Sequence, residues 1–164
     1  MAIRELVDCP SAGADLKAIK FANALSFSLR LNNDFRIIER TAESLGHMAK
    51  FSPVSLVDYI EIELERSLEW LWVDKKPHRQ VAACYVLQQL AENAPTIFFA
   101  RISDFFKLIW EPLRDPNEQI RAAAGKSFSA CLAVLEQVNA TSCMPCITQL
   151  YPAYVSFRVV LQNL

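Results

Sequence analysis

The sequence predicts an all-α fold, a right-handed α-α superhelix of about three helical hairpins with room for one more helix at the C-terminal end. Three observations carry that expectation. Apolar residues recur at helical spacing through six successive segments, and no segment has independent support as a strand. The connections between segments are short, and three glycines in 164 residues leave little material for β-hairpins or phosphate-cradling loops. The even-numbered segments also echo one another. Ala42 to Ala49 overlays Cys84 to Ala91 at a shift of 42, and Arg79 overlays Ile120 at a shift of 41. Intervals of about 40 residues belong to paired-helix repeats, in which each pair leaves one apolar face wet until a neighbour stacks on it. An irregular helical bundle of similar size is the competing fold.

The elements follow in order. Ala18, Phe21, Ala22, Leu25 and Leu29 form the stripe of the first helix. Leu31-Asn32-Asn33 makes a loop, and Asp34 is placed to cap a second helix that buries Phe35, Ile38, Ala42, Leu45 and Ala49. Phe51-Ser52-Pro53 ends it, with Ser52 and Pro53 as cap and first-turn signal for the third. The run Ile60-Glu61-Ile62-Glu63-Leu64-Glu65 alternates like a strand. The wider window overrides it: Val57, Ile60, Leu64, Leu68 and Leu71 keep a helical stripe for four turns, with Asp58, Glu61, Glu65 and Glu69 on another face.

Asp74 to Pro77 turns into a fourth helix with Ala83, Val86, Leu87, Leu90, Ala91 and Ala94 inward and Gln80, Gln88, Gln89 and Glu92 opposite. Pro95-Thr96 opens a fifth that is apolar nearly all round, through Phe98, Phe99, Ile102, Phe105, Phe106, Ile109 and Trp110, and Pro112 ends it. The sixth carries Ile120, Ala124, Phe128, Cys131 and Leu135 inward. Asn139-Ala140-Thr141-Ser142 reads as loop, after which Ala153, Phe157, Val160, Leu161 and Leu164 have the spacing for one more helix. The organisation expected is a tail at 1–14, helical repeats over 15–138 and a divergent tail at 139–164.

The entry to the sixth helix is the most informative stretch. Asp115 is placed to cap a helix start, and Pro116 suits the first helical position because its missing N–H has no partner there. Ala123 and Ala124 allow a close helix neighbour, and Arg121 can reach back toward a carboxylate. A turn, an apolar residue, an arginine and packed alanines open the second helix of a HEAT-type hairpin. The fold expected is accordingly a HEAT/armadillo-like solenoid, with Asp115, Pro116 and Arg121 as structural repeat residues.

Composition argues against several functions. Seventeen basic residues nearly balance eighteen acidic ones, so a net charge of −1 gives no electrostatic reason to expect nucleic acid. No run of 18 apolar residues occurs, and Met1 to Pro10 shows no signal peptide, so membrane insertion is not expected. Five cysteines, an odd number, with Cys84 and Cys131 in helical patterns, read as reduced thiols of a cytosolic protein.

Three stretches together resemble the N-terminal HEAT region of target of rapamycin (TOR) kinases. One is Ile60 to Leu71, an acidic and apolar run ending in Glu69-Trp70-Leu71. The second runs from Arg79-Gln80-Val81-Ala82-Ala83 to Leu90-Ala91-Glu92-Asn93-Ala94-Pro95-Thr96. The third is Ile109-Trp110 with Leu113-Arg114-Asp115-Pro116 and Ile120-Arg121, and Phe21-Ala22-Asn23 is similar upstream. The resemblance covers residues 18–138. Pro112 departs from it, standing where the family continues its helix, and 139–164 matches nothing in it.

The resemblance implies a non-catalytic protein-interaction scaffold, part of the helical arm that docks regulatory subunits, Raptor-like in one complex and Rictor-like in the other. The family phosphorylates serine and threonine in nutrient and growth signalling. Its kinase and rapamycin-binding parts are absent, so no enzyme activity and no cofactor is expected here. The chain reads as a fragment, a truncated product or a short paralogue. The alternatives are a piece of a full-length kinase or a self-standing helical adaptor. A cytoplasmic place is implied, with the nucleus and endomembranes as further sites of TOR complexes. The apolar tail makes a poor solenoid cap, so self-association is expected.

Among candidate sites, Glu61, Glu65 and Glu69 share one helical face at spacing four, and Trp72 is the tryptophan expected to be exposed. These four are the partner-binding candidates. A pair of carboxylates needs a pocket before it does acid–base work, and a solvated face is the plainer reading. Cys143-Met144-Pro145-Cys146 lacks the preceding strand of a redox pair and the second ligand pair of a zinc site, so no metal is expected. His47 and His78 have no serine–acid arrangement around them. Asp104-Phe105-Phe106 lacks the glycine of a kinase metal-binding loop.

Overall fold

The structure, a computed structural model, describes residues 14–51 and 56–141. Among them are eight helices and no strand: α1 Ala14–Leu31, α2 Phe35–Lys50, α3 Val57–Trp72, α4 Pro77–Asn93, α5 Pro95–Phe99, α6 Ile102–Leu108, α7 Trp110–Leu113 and α8 Glu118–Thr141. The chain divides into two compact units, 1–134 and 135–164, and of the second only the last turns of α8 are described. Within the first unit the helices pack as antiparallel pairs, α1 with α2 and α3 with α4, followed by α5–α7 leading into α8. The second helices of the pairs start at 35, 77 and 118, intervals of 42 and 41 residues. The architecture is that of a HEAT-like helical array.

Helix α4 is the keystone, because α2, α3 and α5 all pack on it. Its inward side holds Val81, Ala82, Ala83, Cys84, Val86, Leu87, Leu90 and Ala91, all at 1% exposure or less. So many small residues among the aliphatics permit neighbours on several sides. Helix α2 approaches closely at Gly46, where an added Cβ would lie 2.7 Å from Gln89 Oε1, 2.8 Å from Gln89 Cβ and 2.9 Å from Asn93 Nδ2. Glycine there is a packing requirement. Gln80, expected on the outer face of this helix, is buried instead, since packing from both sides leaves its first turns little solvent-facing surface.

Helices α1 to α3 follow the predicted stripes at their centres, while Ala18, Phe21, Phe35, Ala49 and Val57 are only half-buried. Asp34 accepts a hydrogen bond from the Arg36 N–H at 2.9 Å and caps α2. Ile60, Leu64, Leu68 and Leu71 of α3 are buried while Ile62 is exposed, which is helical rather than alternating burial. Ser52 and Pro53 lie outside the described residues, as do Cys143, Cys146 and the segment from Ala153 to Leu164.

The fifth segment departs from expectation. It is three short helices, with breaks at Ala100–Arg101 and at Ile109. Pro112 does not end it but lies inside α7. Lacking an N–H, Pro112 cannot bond the Leu108 carbonyl four residues back, and α6 ends at Leu108. At the first break the Arg101 N–H bonds Phe98 O, a tighter turn that re-aims the chain. Phe98, Ile102, Phe105, Phe106 and Ile109 are all buried, and their spacing keeps to one helical face through both breaks.

The start of α8 is also shifted. Asn117, not Asp115, is at the cap: its Oδ1 accepts from the Gln119 N–H at 3.0 Å, and its carbonyl accepts from the Arg121 N–H. Pro116 stands before the helix rather than in its first position. Asp115 holds the preceding turn through the Asn117 N–H at 2.8 Å, and Arg121 reaches back to the Asp115 and Pro116 carbonyls, not to a carboxylate. The three residues fasten their own loop. The predicted loop at Asn139-Ala140-Thr141 is instead the end of α8. Ala123 and Ala124 are fully buried, as expected.

Candidate functional site

Three kinds of polar arrangement bind the first unit together. Between α1 and α3, Glu63 is 1% exposed and paired with Arg66, whose Nη1 also donates to Ser26 Oγ at 2.8 Å. Arg30 donates to the same Ser26 oxygen, and the Tyr59 hydroxyl donates to the Ala22 carbonyl. Burial, with the Glu63 charge adding to it, holds the Tyr59 phenol well above its ordinary pKa. This network joins two repeats through buried, satisfied groups. Sequence analysis placed no role on Glu63, which faces the interior of α3 while Glu61, Glu65 and Glu69 are exposed.

Across the second helices, Lys126 of α8 reaches Glu39 of α2 at 2.9 Å and passes over the Tyr85 ring of α4 at 5.3 Å from its centroid. The Glu39 hydrogen bond raises the Lys126 pKa. One lysine thus ties three successive pairs. At the turn between α3 and α4, Arg79 pairs with Asp74 and lies over the Trp70 ring, 5.8 Å from its centroid.

Predicted partner-binding residues meet at a surface groove between α3 and α6. An open groove of about 460 Å³ is lined by Glu65, Leu68, Glu69, Trp72, Arg101, Asp104 and Leu108. Three of the four predicted partner-binding residues meet there: Glu65, Glu69 and Trp72. Glu61 is exposed on the same helix but does not line the groove. Trp72 is 69% exposed and Val73 beside it 64%, whereas Trp70 is buried. Arg101 pairs with Glu65 and lies 3.8 Å from Asp104, and Lys107 bonds the other Asp104 oxygen at 3.0 Å. Sequence reasoning missed Arg101 and Asp104 because it read their segment as one continuous apolar helix. Arg101 stands at the break between α5 and α6 and pairs with Glu65 of α3.

Nothing in the groove has the character of a catalytic centre. The glutamates are open to water, and no low-dielectric pocket surrounds them. His47 stacks edge-on against Phe51 at 4.8 Å, and His78 sits in the first turn of α4, its pKa lowered by burial and by Arg79 and Lys76. Burial pushes the Cys84 thiol up to about 12 and Cys131 higher, so both are inert hydrophobes. Among the described residues no group of three or more histidine, cysteine, aspartate or glutamate side chains could hold a metal, and no helix is long and apolar enough to cross a membrane.

The class defined so far is an all-helical array of antiparallel pairs with an open, polar groove on its flank. No family model matches the chain. It is, however, homologous to a short segment of TOR kinases. It is 34% identical over 136 residues to the serine/threonine-protein kinase TOR of Oryza sativa subsp. japonica, covering 83% of this chain and 6% of that protein. With the serine/threonine-protein kinase tor1 of Schizosaccharomyces pombe the identity is 32% over 149 residues, 91% of this chain and 6% of the relative. The serine/threonine-protein kinase TOR of Arabidopsis thaliana is 33% identical over 136 residues, again 83% and 6%. The chain thus spans about 6% of the length of the curated relatives it matches.

Proposed function

We propose that this chain is a non-catalytic HEAT-repeat scaffold corresponding to part of the N-terminal helical arm of a TOR-type kinase, and that it docks Raptor- or Rictor-like subunits in nutrient and growth signalling. The observation that carries the reading is homology over most of the chain to a segment that makes up 6% of proteins named as TOR kinases. A span that short, wholly helical where described, is consistent with a helical arm rather than with a kinase fold. The open groove supports work done by surface shape.

The test is co-precipitation of the tagged chain with Raptor- and Rictor-like subunits from the same source. Retention of one of them at micromolar concentration is expected. Retention of neither removes the docking role, and measurable serine/threonine phosphotransfer by the purified chain removes the non-catalytic part.

A further inference from the structure

We propose that the α3–α6 groove seats a partner segment carrying a basic residue flanked by apolar side chains, with the cation held between the Glu69 carboxylate and the face of Trp72. The proposal rests on the docking-scaffold reading and names the partner chemistry of its surface. Its argument is charge complementarity. The groove is lined by three carboxylates, Glu65, Glu69 and Asp104, and one guanidinium, Arg101. Arg101 is engaged by Glu65 and Asp104, and Lys107 takes up Asp104. Glu69 carries no hydrogen bond or ion pair on its carboxylate among the described residues. Three residues further along α3, and so on the same face, stands Trp72 with most of its ring in solvent.

The protein itself displays the same chemistry completed. At Trp70 an indole and a carboxylate, Asp74, share the guanidinium of Arg79. At Trp72 the indole and carboxylate are in place, and the cation is what a partner supplies. Leu68 and Leu108 line the groove, and the exposed Val73 follows Trp72 along the chain, which gives apolar surface for the flanking side chains. A tryptophan face is the strongest aromatic site for a cation, and exposed tryptophans are frequent anchors of interfaces.

The experiment titrates the full chain into a dye-labelled peptide of arginine, leucine and serine, in which leucines flank each arginine, and follows polarisation. Saturable binding that weakens with salt is expected, with no binding of a matched peptide bearing glutamate for arginine. Trp72→Ala is expected to weaken binding about five- to tenfold. Glu69→Gln is expected to weaken it about threefold. Phe27→Ala, at an exposed residue of α1 outside the groove, leaves it unchanged. Trp72 is exposed enough that its variant keeps the wild-type circular dichroism, which is recorded alongside. Equal binding of both peptides, or wild-type affinity in Trp72→Ala, overturns the proposal. Concentration-dependent dimerisation abolished by Trp72→Ala, without peptide binding, also overturns it, since a second copy is then the occupant. Peptide binding without capture of Raptor- or Rictor-like subunits removes the function proposed above and leaves the groove. Capture that survives Trp72→Ala, without peptide binding, does the reverse.

Discussion

Gly46 and Gly125 both lie inside helices, yet alanine should affect them in opposite ways. Alanine normally stabilises a helix interior by restricting the unfolded chain, and at Gly125 nothing lies within 4 Å of an added Cβ. Gly125→Ala is expected to raise stability by about 0.5–1 kcal/mol. At Gly46 the added atom meets Gln89 Cβ, which is fixed to the α4 backbone, so the helices must separate. Gly46→Ala should therefore lower stability by about 1–3 kcal/mol, read by urea denaturation of both variants. An equal response at the two sites would contradict the packing described. Nothing in the local sequence separates the glycines. Only the partner helix does.

Acid sensitivity also belongs to single residues. His78 has its pKa lowered below 6.5 by burial, then by Arg79 and Lys76, against the pull of Asp74. The unfolded chain takes up this proton first, so stability falls as pH drops below 6.5. Burial pushes the Asp74 carboxyl up, but the Lys76 amide and the Arg79 guanidinium outweigh it and leave the pKa below 3.8. Its contribution is present above pH 3.8 and is lost as pH falls through the folded value. Denaturation midpoints followed from pH 7 to pH 3 should decline in two stages. His78→Gln should flatten the upper stage and Asp74→Asn the lower.

At the scale of the element, apolar periodicity located α1 to α4 and α8 but read α5, α6 and α7 as one helix. Periodicity reports which residues are inward. Between Pro95 and Leu113 the buried residues keep one helical spacing straight through both breaks, so the breaks leave no mark in it. Pro112 was legible as a disruption, but its effect lies four residues earlier, at the carbonyl it cannot bond. Capping was similarly legible in kind and displaced in position, because Asp115-Pro116-Asn117 offers two side chains able to cap. Proline's fixed geometry spends the first on the turn. Asn117→Ala is expected to cost about 1 kcal/mol in thermal or urea unfolding, and Asp115→Ala less, being the turn's bond rather than the helix's. The reverse order would restore Asp115 as the cap.

For the whole molecule, the repeat interval and the apolar stripes made the paired-helix array readable, since both are local patterns that recur. The groove was half readable. Glu65, Glu69 and Trp72 share one helix face, and spacing alone places them together. Arg101 and Asp104 arrive from the next pair, 29 to 39 residues further along the chain. Ties between repeats, such as Lys126 to Glu39 and Arg66 to Ser26, were not readable, because a solenoid is held laterally by residues whose sequence separation carries no signal.

The proposed role is to hold a partner protein through the surface of the array. Its most direct test is calorimetric titration of the purified chain with a purified Raptor- or Rictor-like subunit. Saturable binding at micromolar concentration, near one chain per subunit, is the predicted result; the absence of saturation with both subunits would contradict it.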